Sequence, residues 1–176
     1  MELQSFINNN QNYLEIFRKN NFKINTFKKL KIISYNYNNK PQFDKDNIWK
    51  LYLKGVIINE NNKIICLSPM KSIDVDENNI MNNSNNYNLS YLIDGTMINL
   101  FYYNNEWIIS TRSEIGGYNK WDKKKSFRKM FDECSNIDYD KLNKNYSYSF
   151  VMRHIENRNI SPINENLLLL INIYDL

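Results

Sequence analysis

Leu92–Gly117 (LIDGTMINLFYYNNEWIISTRSEIGG) is the stretch on which the fold turns. Two apolar, aromatic runs, Met97–Tyr103 and Glu106–Thr111, flank Asn104-Asn105. Asn tolerates the positive φ that a tight hairpin turn demands, so the stretch predicts an antiparallel hairpin. Toward the C-terminus, Ser126 precedes a helical stripe of Phe127, Met130, Phe131 and Cys134, which predicts a capped helix. Tyr146–Arg153 and Leu167–Tyr174 then read as strands around a polar turn. Toward the N-terminus, Leu51–Asn59 and Lys63–Ser68 predict a second hairpin around Glu60-Asn61-Asn62, and Leu30–Tyr37 predicts a strand. Polar loops are expected over Asn38–Asn47 and Lys71–Asn88, the latter with a short helix as the alternative. Leu3, Phe6, Ile7, Tyr13, Leu14 and Phe17 recur at helical spacing, broken near Asn8–Asn10, so the first 25 residues or so predict one or two helices. This order predicts a single α+β domain over residues 1–176, with mainly antiparallel sheets and a few helices.

Composition sets the outer limits. Apolar content of 42% with 14% aromatics excludes a disordered chain and supports a packed interior. About one residue in five is Asn and Ala is absent, which reads as the imprint of an A/T-rich genome. A prion-like tract is the weaker alternative, because the Asn residues are scattered among periodic apolar segments. The net charge of +4 is mild. Even so, Lys19, Lys23, Lys28, Lys29 and Lys31 form one basic cluster, and Lys120, Lys123, Lys124, Lys125, Arg128 and Lys129 form another. Each is compatible with a solvated face or with a phosphate backbone. Cys66 and Cys134 are far apart and lack metal-ligand spacing, so reduced core thiols are expected and no metal site is assigned. No apolar signal region or run of membrane-spanning length is present, which predicts an intracellular, cytoplasmic protein.

Catalytic signatures are sparse. GxGxxG, Walker, HExxH and GxSxG patterns are absent, and His154 is the single histidine. Three ordered blocks nevertheless stand out. Leu53-Lys54-Gly55-Val56-Ile57-Ile58 precedes Pro69-Met70-Lys71-Ser72. Leu92-Ile93-Asp94-Gly95-Thr96 precedes the Asn-turn hairpin and Ser110-Thr111-Arg112-Ser113. Phe150-Val151-Met152-Arg153-His154-Ile155-Glu156-Asn157-Arg158 closes the series. Together the blocks resemble the nucleotide-pocket motifs of phage-type ATP-dependent RNA ligases, across roughly residues 30–174. The chain also resembles ligase-like proteins of large DNA viruses, whose pocket segment reads Asp/Glu-Gly-Thr-Met-Ile-Asn. That resemblance implies a nucleotidyltransferase (ATP-grasp-like) adenylation-domain core, ATP and Mg2+ as cofactors, RNA as partner, and the host-cell cytoplasm as location.

Nucleotidyl transfer begins when an uncharged lysine amine attacks the α-phosphate of ATP, so that lysine needs a lowered pKa. The resemblance places this nucleophile at position 92, where the chain has Leu92. It also places a ribose-contacting Glu at Val151, and later Glu-Gly and Lys-x-Lys motifs beyond Leu176, which implies a core truncated at the C-terminus. The expected protein therefore binds a nucleotide or RNA end without standard lysine adenylylation. Nucleotide-binding residues implied by the resemblance are Lys71, Asp94, Gly95, Arg112 and Phe150, with Lys71 a remote substitute nucleophile. Trp121 among Lys120, Lys123 and Lys124 is the expected RNA-binding patch. The alternatives are an inactive scaffold, half of a split enzyme completed by a partner chain, or a plain RNA-binding module. For His154 a hydrogen-bonded turn histidine is expected rather than a catalytic one.

Overall fold

A computed structural model describes residues 1–43, 47–72, 91–120, 125–157 and 159–176. Helices α1 (Glu2–Asn9) and α2 (Tyr13–Lys19) open the chain. Leu3 and Ile7 of α1, and Tyr13 and Phe17 of α2, lie four residues apart on one face and are buried. The Asn run breaks the helices as expected, with Asn10 extended and its side-chain amide donating to the Phe6 carbonyl at 2.8 Å. Arg18 and Lys19 occupy the last turn of α2, where cations favour the helix dipole.

Four strands follow: β1 (Phe22–Phe27), β2 (Leu30–Tyr35), β3 (Val56–Ile58) and β4 (Ile64–Cys66). They form an antiparallel meander in the order β1-β2-β3-β4. The expected helical segment thus ends early, at Lys19, because Asn21 at φ 67° reverses the chain after α2. FKINTF then pairs with β2 across a Lys28-Lys29 turn, with Lys28 at φ 53°. A second expectation also needs correction. Residues Ile48–Tyr52 form a short 3-10 helix, so the predicted strand from Leu51 begins only at Val56. Trp49 and Leu53 are drawn into the helical core, and the Trp49 ring lies 4.4 Å from Phe6 and 5.4 Å from Phe17. The hairpin itself is present. Asn59 Oδ1 accepts from the Asn61 and Lys63 amides, and Asn62 sits at φ 60°.

The second sheet has the order β6-β5-β7-β8, also antiparallel throughout. Its strands are β5 (Thr96–Tyr103), β6 (Glu106–Ser110), β7 (Tyr146–Arg153) and β8 (Leu167–Asp175). Asn104 at φ 49° and Asn105 at φ 64° make the predicted turn. Between β6 and β7 lies α3 (Phe127–Cys134), capped as expected by Ser126 Oγ accepting from the Lys129 amide. Among the described residues the architecture is α+β with two antiparallel sheets.

The layers run helices, sheet, sheet, helix. α1 and α2 cover one face of the first sheet through Ile33, Val56, Ile58 and Ile64. α3 covers one face of the second through Ile98, Leu100, Ile109, Phe150 and Met152. The two inner faces meet through Leu30, Ile32, Ile57, Cys66, Phe101 and Ile115. A buried polar seam runs beside them. Asn99 Nδ2 donates to Ser68 Oγ at 2.7 Å, Ser149 Oγ donates to Asn99 Oδ1 at 2.8 Å, and the Leu67 amide donates to Ser147 Oγ at 3.2 Å. Cys66 and Cys134 are free thiols; Cys66 is buried and Cys134 half-buried. No helix among the described residues is long and apolar enough to cross a membrane.

Candidate functional site

The two sheets splay apart at one end and leave a cleft. Its first-sheet wall is Ser34, Tyr35 and Tyr37 at the end of β2, with Lys54 just before β3. The second-sheet wall is Gly95–Met97 at the start of β5 and Thr111–Ser113 after β6. Three lobes of about 340, 160 and 380 Å³ share the same two cations, Lys54 and Arg112. The largest two lie within the range of small-molecule sites, roughly 300–1,000 Å³.

Local structure fixes both cations. Gly55 holds φ 104°, and a Cβ there would meet Ser68 Oγ at 2.9 Å and Arg112 Cα at 3.0 Å. Only glycine lets the strand carrying Lys54 approach the backbone of Arg112 this closely. On the other side, Thr111 Oγ1 accepts from the Glu114 amide at 3.2 Å, and the Glu114 carboxylate accepts from the Asn119 amide at 2.6 Å. These bonds fold the segment after β6 into a compact loop around Arg112.

The charge in the cleft is one-sided. Lys120 lines the first lobe and Lys40 and Lys71 line the third, yet no Asp or Glu among the described residues lines any lobe. Burial holds the Lys54 amine below its ordinary range, and the neighbouring Arg112 and Lys71 charges lower it further. Burial also pushes the Tyr35 phenol up, with Tyr37 adding to the effect and Arg112 opposing it. Its hydroxyl is buried without a hydrogen-bond partner, as is Asn119 Oδ1. Lys71 donates to the Ser72 carbonyl and lies over the Phe43 ring, 5.1 Å from its centroid.

The residues singled out from sequence fall in several places. Lys71, Gly95 and Arg112 line the cleft. Lys120 does so too, while Trp121, Lys123 and Lys124 lie outside the described residues. Asp94 does not line it; its carboxylate accepts from the Ile160 and Ser161 amides at 2.6 and 2.7 Å, clamping the Asp-Gly-Thr segment to the turn after β7. Asn157 reinforces the clamp by donating to Thr96 Oγ1 at 2.8 Å. Phe150 is buried in the core beneath α3, and Leu92 is fully exposed outside every lobe. Val151 lines the smallest lobe, against Gly95. The residues that sequence reasoning passed over are Tyr35, Tyr37 and Asn119. Lys54 was visible only as a motif residue, since its position at the shared centre depends on how the sheets pack.

A second polar cluster lies beside α3. His154 is buried, and its Nδ1 accepts from the Glu156 amide at 3.0 Å. Nε2 therefore carries the proton and donates to Glu133 Oε2 at 2.7 Å. Lys125 bridges Glu133 and Glu156 at 2.8 and 2.7 Å. Lys125 first, then His154, hold the Glu133 carboxyl below its ordinary value. Every ring nitrogen is engaged, so this is the expected hydrogen-bonded turn histidine. The aromatics of the hairpin are likewise committed: Trp107 packs on Tyr102, Tyr139 and Tyr148, and Tyr103 donates to Glu60.

No protein-family model matches the chain, and no curated protein matches it.

Proposed function

We propose that the chain is a divergent RNA ligase-like nucleotidyltransferase domain that binds a nucleotide or RNA end in the cleft and has left lysine adenylylation behind. The observation that carries this reading is the pairing of Lys54 and Arg112 across the two sheets, in a cleft whose described lining includes no carboxylate. Half-buried Lys54 and exposed Arg112 beside it repel each other, and a phosphate is the ligand that turns that cost into attraction. Mg2+ would enter with the ligand's phosphates, since the described lining offers it no acidic side chain. Leu92, exposed and outside the cleft, supplies no nucleophile.

The test is a thermal melt with pyrophosphate and with ATP, repeated in Lys54→Ala and Arg112→Ala. Stabilisation of the parent protein that shrinks in both variants is expected; no stabilisation by either polyanion sinks the reading. Incubation with labelled ATP and Mg2+ is expected to leave no adduct that survives denaturation. An adduct lost in Lys71→Ala would instead establish a relocated nucleophile.

A second reading, a scaffold or half of a split enzyme, draws on β8. It is an edge strand, and Leu170, Ile171 and Ile173 are exposed along it. Unpaired strand edges with apolar side chains favour pairing with another chain. A strictly monomeric protein by light scattering, with no partner retained from its native source, removes this alternative.

A further inference from the structure

Lys54 and Arg112 are not at the end of the cleft but in its middle. The two large lobes, of about 340 and 380 Å³, share Tyr35, Tyr37, Lys54 and Arg112, and each then continues on its own side. A ligand that fills both must cross this shared wall. A mononucleotide carries its phosphates at one end and fills one side only. The arrangement instead suits a ligand with an anionic link between two ring-bearing arms.

The arms have distinct surroundings. One lobe holds the Phe43 ring with Lys40 and Lys71, and Tyr37, 64% exposed, offers its ring at the shared wall. The other lobe is lined by Ser34, Thr96, Thr111 and Ser113 together with Met97, Phe127 and Lys120, and Asn119 Oδ1 is buried and unpaired there. Cations and rings thus occur together in each part of the cleft: Lys71 and Phe43 in one lobe, Tyr37 with Lys54 and Arg112 at the shared wall, and Lys120 and Phe127 in the other. That combination is how single strands are held, with the backbone tracked by charge and the bases stacked on aromatic faces. An orphaned buried acceptor calls for a donor, and the exocyclic amine of adenine or cytosine is one donor that a base provides.

We infer that the cleft binds a dinucleotide step of single-stranded nucleic acid, with its internal phosphodiester at Lys54 and Arg112, one base against Tyr37 and Phe43, and an amine-bearing base beside Asn119. This rests on the phosphate-binding reading above and narrows its ligand from a terminal phosphate to an internal one. The cations of the cleft make electrostatics common to all nucleic acids, while the two lobes set the length recognised.

Titration of the full chain by intrinsic tryptophan fluorescence tests it with four small probes. Adenylyl-(3′→5′)-adenosine, which has one internal phosphate and no terminal one, is expected to bind about tenfold more tightly than AMP, despite its smaller charge; tenfold is within the range of one added base–ring stack. CpC is expected to bind more tightly than UpU, whose bases lack the amine, and Asn119→Ala should erase that difference. Tyr37→Ala, at an exposed ring whose loss leaves the core intact, should weaken the dinucleotide several-fold and AMP little. AMP binding as tightly as the dinucleotide, or CpC and UpU binding alike, overturns the inference. If pyrophosphate stabilises the protein while no dinucleotide binds, only the internal-phosphate inference falls. If pyrophosphate also has no effect, the phosphate-binding reading falls with it.

Discussion

Lys54 shows how a residue acquires chemistry from its neighbours. In sequence it is one lysine among many, in a Lys-Gly pair before an apolar strand. In the fold, burial and the nearby Arg112 and Lys71 charges lower its pKa. A lysine with a depressed folded pKa is charged more readily in the unfolded chain. Between that folded value and the ordinary 10.5, stability therefore rises with pH as the strained charge is released. A bound phosphate reverses the effect by favouring the charged amine, so binding in this window takes up a proton. Calorimetry of pyrophosphate binding in two buffers of different ionisation enthalpy is expected to show this uptake, and Lys54→Met to lose it. Gly55 is the companion residue. Gly55→Ala sets a side chain at φ 104° against Ser68 and Arg112, and should cost about 1–3 kcal/mol or more by urea unfolding. Leu92 illustrates the limit of motif reading: a leucine before Asp94-Gly95-Thr96 was plain in the sequence, but its exposure outside the cleft was not.

At the scale of elements, legibility followed local chemistry. The turns at Asn104-Asn105 and Asn59–Asn62 are written in residues that accept positive φ, and both hairpins are where the pattern put them. Strand β1 was hidden because Phe22 and Ile24 continue the apolar series of α2, while the residue that ends the helix is another Asn in an Asn-rich chain. The 3-10 helix over Ile48–Tyr52 was hidden for a different reason. Its apolar residues fit a strand equally well, and only the packing of Trp49 between Phe6 and Phe17 decides. Helix α3 was fully legible, cap included. Ser126→Ala removes the acceptor for the Lys129 amide, and should cost about 1 kcal/mol by chemical denaturation. The cluster at its far end adds an acid-sensitive tie. Glu133 sits below its ordinary 4.5 because Lys125 and His154 favour the carboxylate. Its contribution is present above the unfolded value and fades as pH falls through the lower folded one. Glu133→Gln should therefore flatten the acid limb of a stability profile below about pH 4.5; a profile with an unchanged acid slope would contradict this tie.

For the molecule as a whole, what matters is how two sheets are held at a fixed separation while their ends stay open. Each sheet has its own apolar core on its outer face, and those cores were largely readable as periodic apolar residues. The contact between the sheets was not, because its decisive members are polar. Asn99 joins Ser68 to Ser149 in the interior, Ser147 accepts from the Leu67 amide beside them, and nothing in Ser and Asn residues announces burial. Directional bonds fix relative position more tightly than apolar contact, and Ser68 lies against Gly55, next to Lys54. The seam should therefore set the geometry of the cleft as well as stability. Two substitutions separate these effects. Phe17→Ala empties a fully buried site among the helices, and should cost about 3–5 kcal/mol. Asn99→Ala leaves Ser68 without its buried partner, while Ser149 keeps the Leu67 carbonyl, and should cost about 1–3 kcal/mol for the stranded hydroxyl. Measured on the folded protein well below its melting temperature, pyrophosphate affinity is expected to survive Phe17→Ala, because the helices cover the far face of the first sheet. The same affinity is expected to drop several-fold in Asn99→Ala, because the seam that sets Lys54 against Arg112 has lost its centre. Equal losses in both variants would mean that the cleft responds only to global stability and that the seam has no separate part in shaping it.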